Sequence, residues 1–282
     1  MRLRGYHLRR IATAIFRPLG HEDAEQTIRA SIMSGIAFVT GATAGFGQAI
    51  TRRLIHEGWR VIASGRRTER LEALREELGN NLLPLTLDMT DAAALKALPS
   101  SLPEGWKDVD VLINNAGLAL GLDPAQGAEY SDWETMIATN VSGLSTITRA
   151  LLPGMVARNK GYVLSIGSTA GAYAYKGANV YGATKAFVAQ FMNNLRCDLL
   201  GTRVRVTNIA PGLCGGSEFS NVRLGDATKA AAVYEGTQPL TPEDIAETVS
   251  WLLQLPAHVN VNYIEMMPVC QAPAGLAVKR DI

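Results

Sequence analysis

Tyr181 and Lys185 stand four positions apart in a segment with helical periodicity, so their side chains share one face of a predicted helix. A free tyrosine has a pKa of about 10 and is a poor base at neutral pH, but a neighbouring ammonium group favours its ionised form. Such a pair alone occurs by chance in many helices. Ser168 follows a predicted strand thirteen residues earlier, and Asn140 lies inside a predicted helix, where asparagine is unfavourable unless its amide is used. Together the four residues indicate proton-transfer chemistry.

A glycine-rich turn links the first predicted strand to the first predicted helix. Gly41 lets the chain turn off the strand, Gly45 permits close approach of a pyrophosphate to backbone N–H groups, and Gly47 allows the helix to pack on the sheet. Free N–H donors and the dipole at the helix N-terminus favour the anion. The turn therefore predicts a dinucleotide site, with contacts from Gly41, Thr43, Ala44, Gly45, Phe46 and Gly47.

The end of the second predicted strand indicates which dinucleotide is bound. An NAD-preferring site places Asp or Glu here to accept hydrogen bonds from the ribose 2′-hydroxyl. This chain has Arg66 and Arg67, whose guanidinium groups suit a 2′-phosphate and so favour NADP(H). The alternative, that the arginines only face solvent at the start of the next helix, stays open for Arg67.

Two further strand ends are predicted to contribute to the cofactor site. Asp88 and Met89 follow the third strand, where the carboxylate suits either an edge contact to adenine or a turn cap. Asn115 lies in the Asn-Asn-Ala-Gly sequence that ends the fourth strand, beside the crevice where ligands bind in parallel sheets. We therefore expect Asp88, Met89 and Asn115 to contact the cofactor.

These residues need a sheet that brings strand ends together. Short apolar runs rich in β-branched residues alternate with longer amphipathic runs, a pattern that predicts a parallel sheet with helices on both faces. The predicted strands are 36–40, 60–63, 82–87, 109–113, 161–166, 203–209 and 263–266. The predicted helices are 45–57, 67–78, 91–98, 132–158, 179–200 and 242–253. With right-handed crossovers, this order gives one α/β domain with a doubly wound parallel sheet of about seven strands.

Composition restricts the class of protein. The 282 residues include 27 basic and 26 acidic side chains, so charge gives no argument for nucleic-acid binding. Apolar residues make up 47% of the chain, which predicts a large core, and no apolar run reaches the roughly 18 residues of a membrane span. The three cysteines form no disulfide or zinc pattern and the four histidines do not cluster, so we predict a cytoplasmic enzyme without a metal.

Residues 1–34 differ from the rest of the chain. They contain six basic and three acidic residues, and nothing acidic precedes Glu22. An Arg-rich targeting or membrane-surface segment is one interpretation. We favour an extension outside the fold, with residues 35–282 as the domain, because residues 35–40 already have the pattern of its first strand.

In order and spacing, these motifs resemble the short-chain dehydrogenase/reductase superfamily over residues 35–270. The matching features are the glycine turn at 40–47, Asn-Asn-Ala-Gly at 114–117, Asn140, Ser168 and the Tyr181/Lys185 pair. Within the superfamily, stretches such as 167–171, 218–223 and 255–268 resemble the bacterial NADP-dependent 3-hydroxy acid dehydrogenases, also described as malonic semialdehyde reductases. The resemblance implies a Rossmann fold with NADP(H) as cofactor.

The resemblance also implies a role for each residue of the set. Tyr181 exchanges a proton with the substrate, and Ser168 donates a hydrogen bond to the substrate oxygen. Lys185 holds the nicotinamide ribose and favours the phenolate form of Tyr181. Asn140 anchors a water that links Lys185 to solvent. Hydride transfer takes place at the nicotinamide ring of the cofactor, and the protein positions and polarises the reactants.

Residues 211–240, after the sixth strand, are the predicted substrate loop. The backbone of Pro211, Gly212 and Leu213 is expected to hold the nicotinamide amide, with the following segment as a lid. Arg223 is the candidate partner of a substrate carboxylate, because a buried anion needs a charge-assisted hydrogen bond. A solvated arginine is the alternative.

We therefore predict an NADP-dependent oxidoreductase that interconverts small 3-hydroxy acids, such as 3-hydroxypropionate, serine and allo-threonine, with 3-oxo acids such as malonic semialdehyde. The alternatives are the same machinery on another small alcohol or ketone, and an NADP(H)-sensing protein without turnover. The presence of the whole catalytic set argues against a sensor. Apolar residues on more than one face of helices 132–158 and 179–200 predict a symmetric oligomer, and the resemblance implies a homotetramer.

Overall fold

The computed structural model of the protein describes residues 35–273 and 278. The predicted N-terminal extension, residues 1–34, lies outside the described residues. Within the described part, seven strands form one sheet: β1 (Ile36–Thr40), β2 (Arg60–Gly65), β3 (Leu82–Thr86), β4 (Val111–Asn114), β5 (Gly161–Ile166), β6 (Val204–Pro211) and β7 (Tyr263–Met266). Every neighbouring pair is parallel, in the order β3-β2-β1-β4-β5-β6-β7. The predicted parallel sheet is confirmed.

The strand order changes direction between β1 and β4. The chain builds outwards from β1 to β3 and then returns to add β4 on the other side of β1. At such a switch point a crevice opens at the carboxyl ends of the strands. The hydroxyl oxygen of Thr40 accepts hydrogen bonds from the backbone N–H groups of Asn115 and Ala116, at 3.0 and 2.9 Å. These bonds bring the motifs that follow β1 and β4 to one place.

Helices cover both faces of this sheet. The α-helices in the described residues are α1 (Gly45–His56), α2 (Thr68–Leu78), α3 (Ala92–Ser101), α4 (Tyr130–Ile137), α5 (Leu144–Ala157), α6 (Asn179–Asp198), α7 (Phe219–Leu224), α8 (Ala227–Ala232) and α9 (Pro242–Gln254). Along β1, Ala37 and Val39 pack with α1 and α9, whereas Ile36 and Phe38 pack with α3, α5 and α6. Because β1 is buried on both faces, it is apolar from Ile36 to Val39 rather than alternating. The predicted single α/β domain with a doubly wound sheet is therefore confirmed.

The structure differs from the sequence prediction in two stretches. The predicted helix 132–158 is helical as far as Ala157, but it is not one α-helix, because Ala138–Gly143 form a π-helical turn between α4 and α5. Within that turn, the Asn140 side chain bonds to the backbone of Leu118, a contact from another part of the chain. The predicted loop after β6 contains the short helices α7 and α8. Other boundaries differ by a few residues, as is usual at the ends of elements.

Candidate active site

A cleft of about 350 Å³ opens at the carboxyl ends of the central strands. Of the residues predicted from the sequence, its lining includes Gly41, Thr43, Ala44, Gly45, Phe46, Arg66, Arg67, Asp88, Met89, Asn115, Tyr181 and Lys185. Most of the residues predicted to contact the cofactor therefore line the same cleft as Tyr181 and Lys185 of the predicted catalytic set. Gly47, Asn140 and Ser168 lie just behind this lining, in contact with it, as described below.

The turn after β1 has close contacts that only glycine permits. Gly45 has a φ of +51°, and a Cβ added there would lie 2.9 Å from the Cβ of Ser217. A Cβ at Gly47 would collide with the carbonyl oxygen of Gly41. The turn therefore presents backbone rather than side chains to the cleft, next to the N-terminus of α1. This arrangement fits the pyrophosphate of a dinucleotide.

The two arginines that follow β2 have different surroundings. Arg66 is exposed, lines the cleft and forms no hydrogen bond or ion pair with the described residues. Arg67 is half-buried, and its Nε and Nη2 donate to the hydroxyl of Thr43 at 3.2 and 2.9 Å. Its Nη1 donates to Oε2 of Glu218 at 2.7 Å. The interpretation that Arg67 only faces solvent is therefore wrong. Its hydrogen-bond partners, Thr43 and Glu218, are groups of the protein itself.

Asp88 and Asn115 line the cleft and also fix its wall. Oδ1 of Asp88 accepts hydrogen bonds from the N–H and the hydroxyl of Thr90, both at 2.8 Å. The backbone bond is the main cause that lowers the pKa of Asp88. Nδ2 of Asn115 donates to the carbonyl oxygens of Thr40 and Gly41 at 2.8 and 3.1 Å. Asp88 thus caps a turn at the cleft, one of the two roles that its sequence position predicts.

Tyr181 is only 7% exposed, although it lines the cleft. Its ring lies 5.8 Å from the ring of Phe219, and the guanidinium carbon of Arg223 lies 5.3 Å from its ring centre. Burial raises the pKa of Tyr181 to about 12, while the hydrogen bond to Ser168 and the charge of Arg223 act in the opposite direction. The structure therefore brings Tyr181, Ser168 and Arg223 together.

Lys185 lies one turn from Tyr181 on α6 and is buried. Its Nζ donates to the carbonyl oxygen of Ile166 at 2.8 Å and lies 6.0 Å from the centre of the Tyr181 ring. Burial lowers the pKa of Lys185 to about 8, so the ammonium form still predominates at neutral pH. The sequence assigned the lowering of the Tyr181 pKa to Lys185. In this structure, Ser168 and Arg223 are the groups that act to lower the pKa of Tyr181. Burial outweighs both, so this pKa is raised overall.

Burial of Lys185 predicts a pH-dependent contribution to stability. Its pKa is about 8 in the folded protein against 10.5 ordinarily, so between these values the unfolded chain binds more protons. The free energy of unfolding contributed by this group therefore rises with pH across that window, and its cost is fully present below pH 8. In denaturant titrations, we expect the stability of Lys185→Met relative to wild type to fall from pH 8 to pH 10. A difference that stays constant over this range would contradict the assignment.

Asn140 is buried in the π-helical turn, and both polar atoms of its amide have hydrogen-bond partners. Oδ1 accepts from the N–H of Leu118 at 3.0 Å, and Nδ2 donates to the Leu118 carbonyl at 2.8 Å and to Thr184 Oγ1 at 3.1 Å. A Cβ added at Gly117 would lie 3.2 Å from Asn140 Oδ1 and 3.5 Å from Lys185 Nζ. The two polar atoms therefore flank the same glycine at the edge of the cleft.

The segment after β6 is bonded to other parts of the chain. The N–H of Leu213 donates to Oε1 of Gln271 at 2.6 Å, and its carbonyl oxygen accepts from the N–H of Leu240 at 3.0 Å. A Cβ at Gly212 would collide with the same Gln271 oxygen. Pro211, Gly212 and Leu213 are absent from the cleft lining, so their predicted contact with the nicotinamide stays a prediction.

Arg223, on α7, is half-buried beside Tyr181. Its Nε donates to the carbonyl oxygen of Gly121 at 3.2 Å, and its Nη1 donates to the hydroxyl of Tyr175 at 2.9 Å. Its Nη2 is buried and has no hydrogen-bond partner among the described residues. Leaving a buried donor unpaired costs about 1–3 kcal/mol, so an acceptor supplied by a ligand would be favourable here.

Residues 217–224, which we term the lid segment, supply cleft residues that the sequence reasoning missed. These are Ser217, Glu218, Phe219 and Val222. The sequence indicated a lid in this region but not its contacts, because those contacts join distant parts of the chain. Glu218 and Arg67, for example, are 151 positions apart.

Within residues 35–273 and 278, no helix combines the length and apolar character needed to cross a lipid bilayer. The same residues contain no group of three or more His, Cys, Asp or Glu side chains placed to hold a metal ion.

Comparison with known proteins identifies the family. A family model described as short chain dehydrogenase matches residues 35–224, so the chain belongs to the short-chain dehydrogenase family. The chain is 61% identical over 247 residues to the NADP-dependent 3-hydroxy acid dehydrogenase of Salmonella typhi, covering 87% of this chain and 100% of that protein. It is 49% identical over 250 residues to the serine 3-dehydrogenase of Rhizobium radiobacter, covering 88% and 100% respectively.

A solved structure agrees with these relatives. The closed form of serine dehydrogenase complexed with NADP+ matches with a TM-score of 0.84 and 60% identity, covering 87% of this chain and 99% of that one. The protein is therefore an NADP-dependent oxidoreductase that acts on CH–OH groups, as the sequence predicted. Its cofactor is NADP(H).

Proposed function

We propose that the protein oxidises small 3-hydroxy acids, such as 3-hydroxypropionate, serine and allo-threonine, and reduces 3-oxo acids such as malonic semialdehyde in reverse. The observation that carries this proposal is Nη2 of Arg223, a buried donor that lacks a described partner and belongs to a guanidinium beside the Tyr181 ring. A substrate carboxylate would accept a charge-assisted hydrogen bond from it. The names of the relatives, which refer to 3-hydroxy acids and serine, support the same substrate class.

The cleft has groups that suit both the pyrophosphate and the 2′-phosphate of NADP(H). The turn around Gly45 offers backbone donors to the pyrophosphate, and Arg66, which lies near enough to Asp88 for its charge to lower the pKa of that carboxyl, offers its guanidinium to the 2′-phosphate. When bound, the nicotinamide ring supplies the acceptor or donor of the hydride.

In our proposed mechanism, the protein moves the proton that accompanies the hydride. Tyr181 accepts the substrate hydroxyl proton during oxidation and returns it during reduction, while Ser168 holds the substrate oxygen by a hydrogen bond. The hydrogen bond from Ser168 and the charge of Arg223 act against burial and favour the phenolate of Tyr181. Lys185 holds the nicotinamide ribose. We assign to Lys185 and Asn140 a shared water beside Gly117, which passes the proton onward.

A substrate panel tests the proposed function. Initial rates with NADP+ are compared for 3-hydroxy acids, 2-hydroxy acids of the same size and uncharged alcohols. The rate is measured from the absorbance of the NADPH formed. We expect the highest kcat/KM for the 3-hydroxy acids. Preference for an uncharged alcohol would instead support the small alcohol or ketone alternative, and tight NADPH binding without any turnover would support the sensor.

Arg66→Ala tests recognition of the 2′-phosphate. Loss of one charge-assisted hydrogen bond, about 1.5–3 kcal/mol, should weaken NADPH binding by about 10- to 100-fold. The Kd of NADH should change little, because NADH lacks the 2′-phosphate. Arg75→Ala is the control, since Arg75 is a half-buried arginine of α2 that bonds to Asn80 and does not line the cleft. Equal weakening of both dinucleotides would refute the assignment of Arg66.

We also propose that the protein is a cytoplasmic homotetramer. Helices α4, α5 and α6 expose apolar side chains, including Ile137, Val156 and Phe187, at 45%, 39% and 38%. Contact with further copies would bury these side chains. The three free cysteines support a reducing compartment. Light scattering is expected to give the mass of four chains, and a monomer would contradict the proposal.

A further inference from the structure

Glu218 connects the lid segment to α2 by two ion pairs. Its Oε2 lies 2.7 Å from Nη1 of Arg67, and its Oε1 lies 2.8 Å from Nη1 of Arg70. The hydrogen bonds from the two arginines lower the pKa of Glu218, so the carboxylate stays ionised at neutral pH. Each carboxylate oxygen therefore holds one arginine at the start of α2.

The lid segment is attached on both sides of the cofactor cleft. Next to Glu218, Ser217 lies against the glycine turn, so close that a Cβ at Gly45 would be 2.9 Å from the Cβ of Ser217. At the other end, the N–H of Gly121 donates to the carbonyl oxygen of Arg223 at 3.0 Å, and Nε of Arg223 donates back to Gly121 at 3.2 Å. The lid segment therefore spans the cleft over the site that fits the pyrophosphate. Opening either attachment would uncover this site.

We propose that Glu218 retains the bound dinucleotide by holding the lid segment closed through Arg67 and Arg70. The inference rests on the proposed cofactor cleft and not on the substrate class. Nε, Nη1 and Nη2 of Arg67 all donate to protein groups, whereas Arg66 has no such commitment. The two adjacent arginines thus have separate tasks: Arg66 recognises the 2′-phosphate, and Arg67 anchors the lid.

The expected size of the effect follows from exposure. The side chains of Arg67, Arg70 and Glu218 are 40%, 46% and 42% exposed, so solvent screens both ion pairs. Exposed pairs contribute little individually, and losing two of them should speed release of the dinucleotide by about 3- to 10-fold. Because the 2′-phosphate is not the group being held, NADPH and NADH should be affected by the same factor.

The test is the dissociation rate of the dinucleotide from Glu218→Gln, measured by stopped-flow fluorescence after displacement by excess oxidised cofactor. We expect both NADPH and NADH to dissociate faster by the same factor, and Arg70→Gln to give a smaller increase. The increase should shrink at about 1 M salt, where the screening length is about 3 Å. Glu77→Gln is the matched control, since it removes a similarly exposed ion pair of 2.8 Å with Arg52 away from the cleft.

Three results would overturn the proposal: unchanged dissociation from Glu218→Gln, slower dissociation, or an effect confined to NADPH. The last two would mean that Glu218 competes with the 2′-phosphate for Arg67. A wild-type protein that bound neither dinucleotide in this assay, or an Arg66→Ala variant that weakened both equally, would instead count against the cofactor cleft as proposed. The two failures are therefore distinguishable.

Discussion

Tyr181→Phe is expected to lower kcat by about 10²- to 10⁴-fold in both reaction directions, the usual contribution of a positioned acid or base. The variant keeps the ring that packs against Phe219 and loses only the hydroxyl. Binding of NADPH, which depends on the glycine turn and Arg66, should therefore stay close to wild type. Steady-state rates and fluorescence titration with NADPH measure the two quantities separately.

Tyr162→Phe is the matched control for this prediction. Tyr162 is also buried, and its hydroxyl lies 2.6 Å from Oγ1 of Thr207, but it does not line the cleft. It should keep its kcat despite losing a buried hydrogen bond. Turnover by Tyr181→Phe at a rate close to that of Tyr162→Phe would show that another group carries the proton.

Arg223→Gln is expected to lower kcat/KM for 3-hydroxypropionate by about 10- to 100-fold more than for 1-propanol, which has a methyl group in place of the carboxylate. Arg223 also lowers the pKa of Tyr181, so both substrates should lose some activity. Only the additional loss for the acid reports on the carboxylate. The comparison is a ratio of ratios, measured with wild type and variant on both substrates.

Arg223→Lys refines this comparison. A lysine keeps the charge but lacks the fork that bonds to Gly121 and Tyr175 while leaving Nη2 for a ligand. We expect partial recovery of activity on the acid. If the Gln variant lost activity equally on both substrates, Arg223 would support only the lid and Tyr181, and the proposed carboxylate contact would be withdrawn.

Much of the fold follows from patterns that act over short distances. The β1 strand is apolar from Ile36 to Val39 because it is buried on both faces, and Gly47 is required by a collision with the Gly41 carbonyl oxygen in the same turn, so both features are visible in the sequence. Strand–helix alternation then limits the topology to a doubly wound parallel sheet. The predicted order of elements therefore agrees with the structure.

The sequence prediction was wrong or incomplete where distant residues decide the local structure. The π-helical turn around Asn140 accompanies hydrogen bonds to Leu118, 22 positions away, and no helix periodicity indicates it. The pKa of Tyr181 depends on burial under Phe219 and Arg223, both in the lid segment. The ion pairs of Glu218 could not be predicted, since its partners Arg67 and Arg70 become its neighbours only in the folded chain.

Isotope transfer tests the central claim most directly. The protein is incubated with NADP+ and 3-hydroxypropionate that carries deuterium at C3, and the NADPH formed is analysed by mass spectrometry. The account predicts that the deuterium appears in the NADPH with wild type and with Tyr162→Phe, and that Tyr181→Phe forms almost no labelled NADPH. NADPH that forms without the label, or labelled NADPH that forms equally fast with Tyr181→Phe, would contradict it.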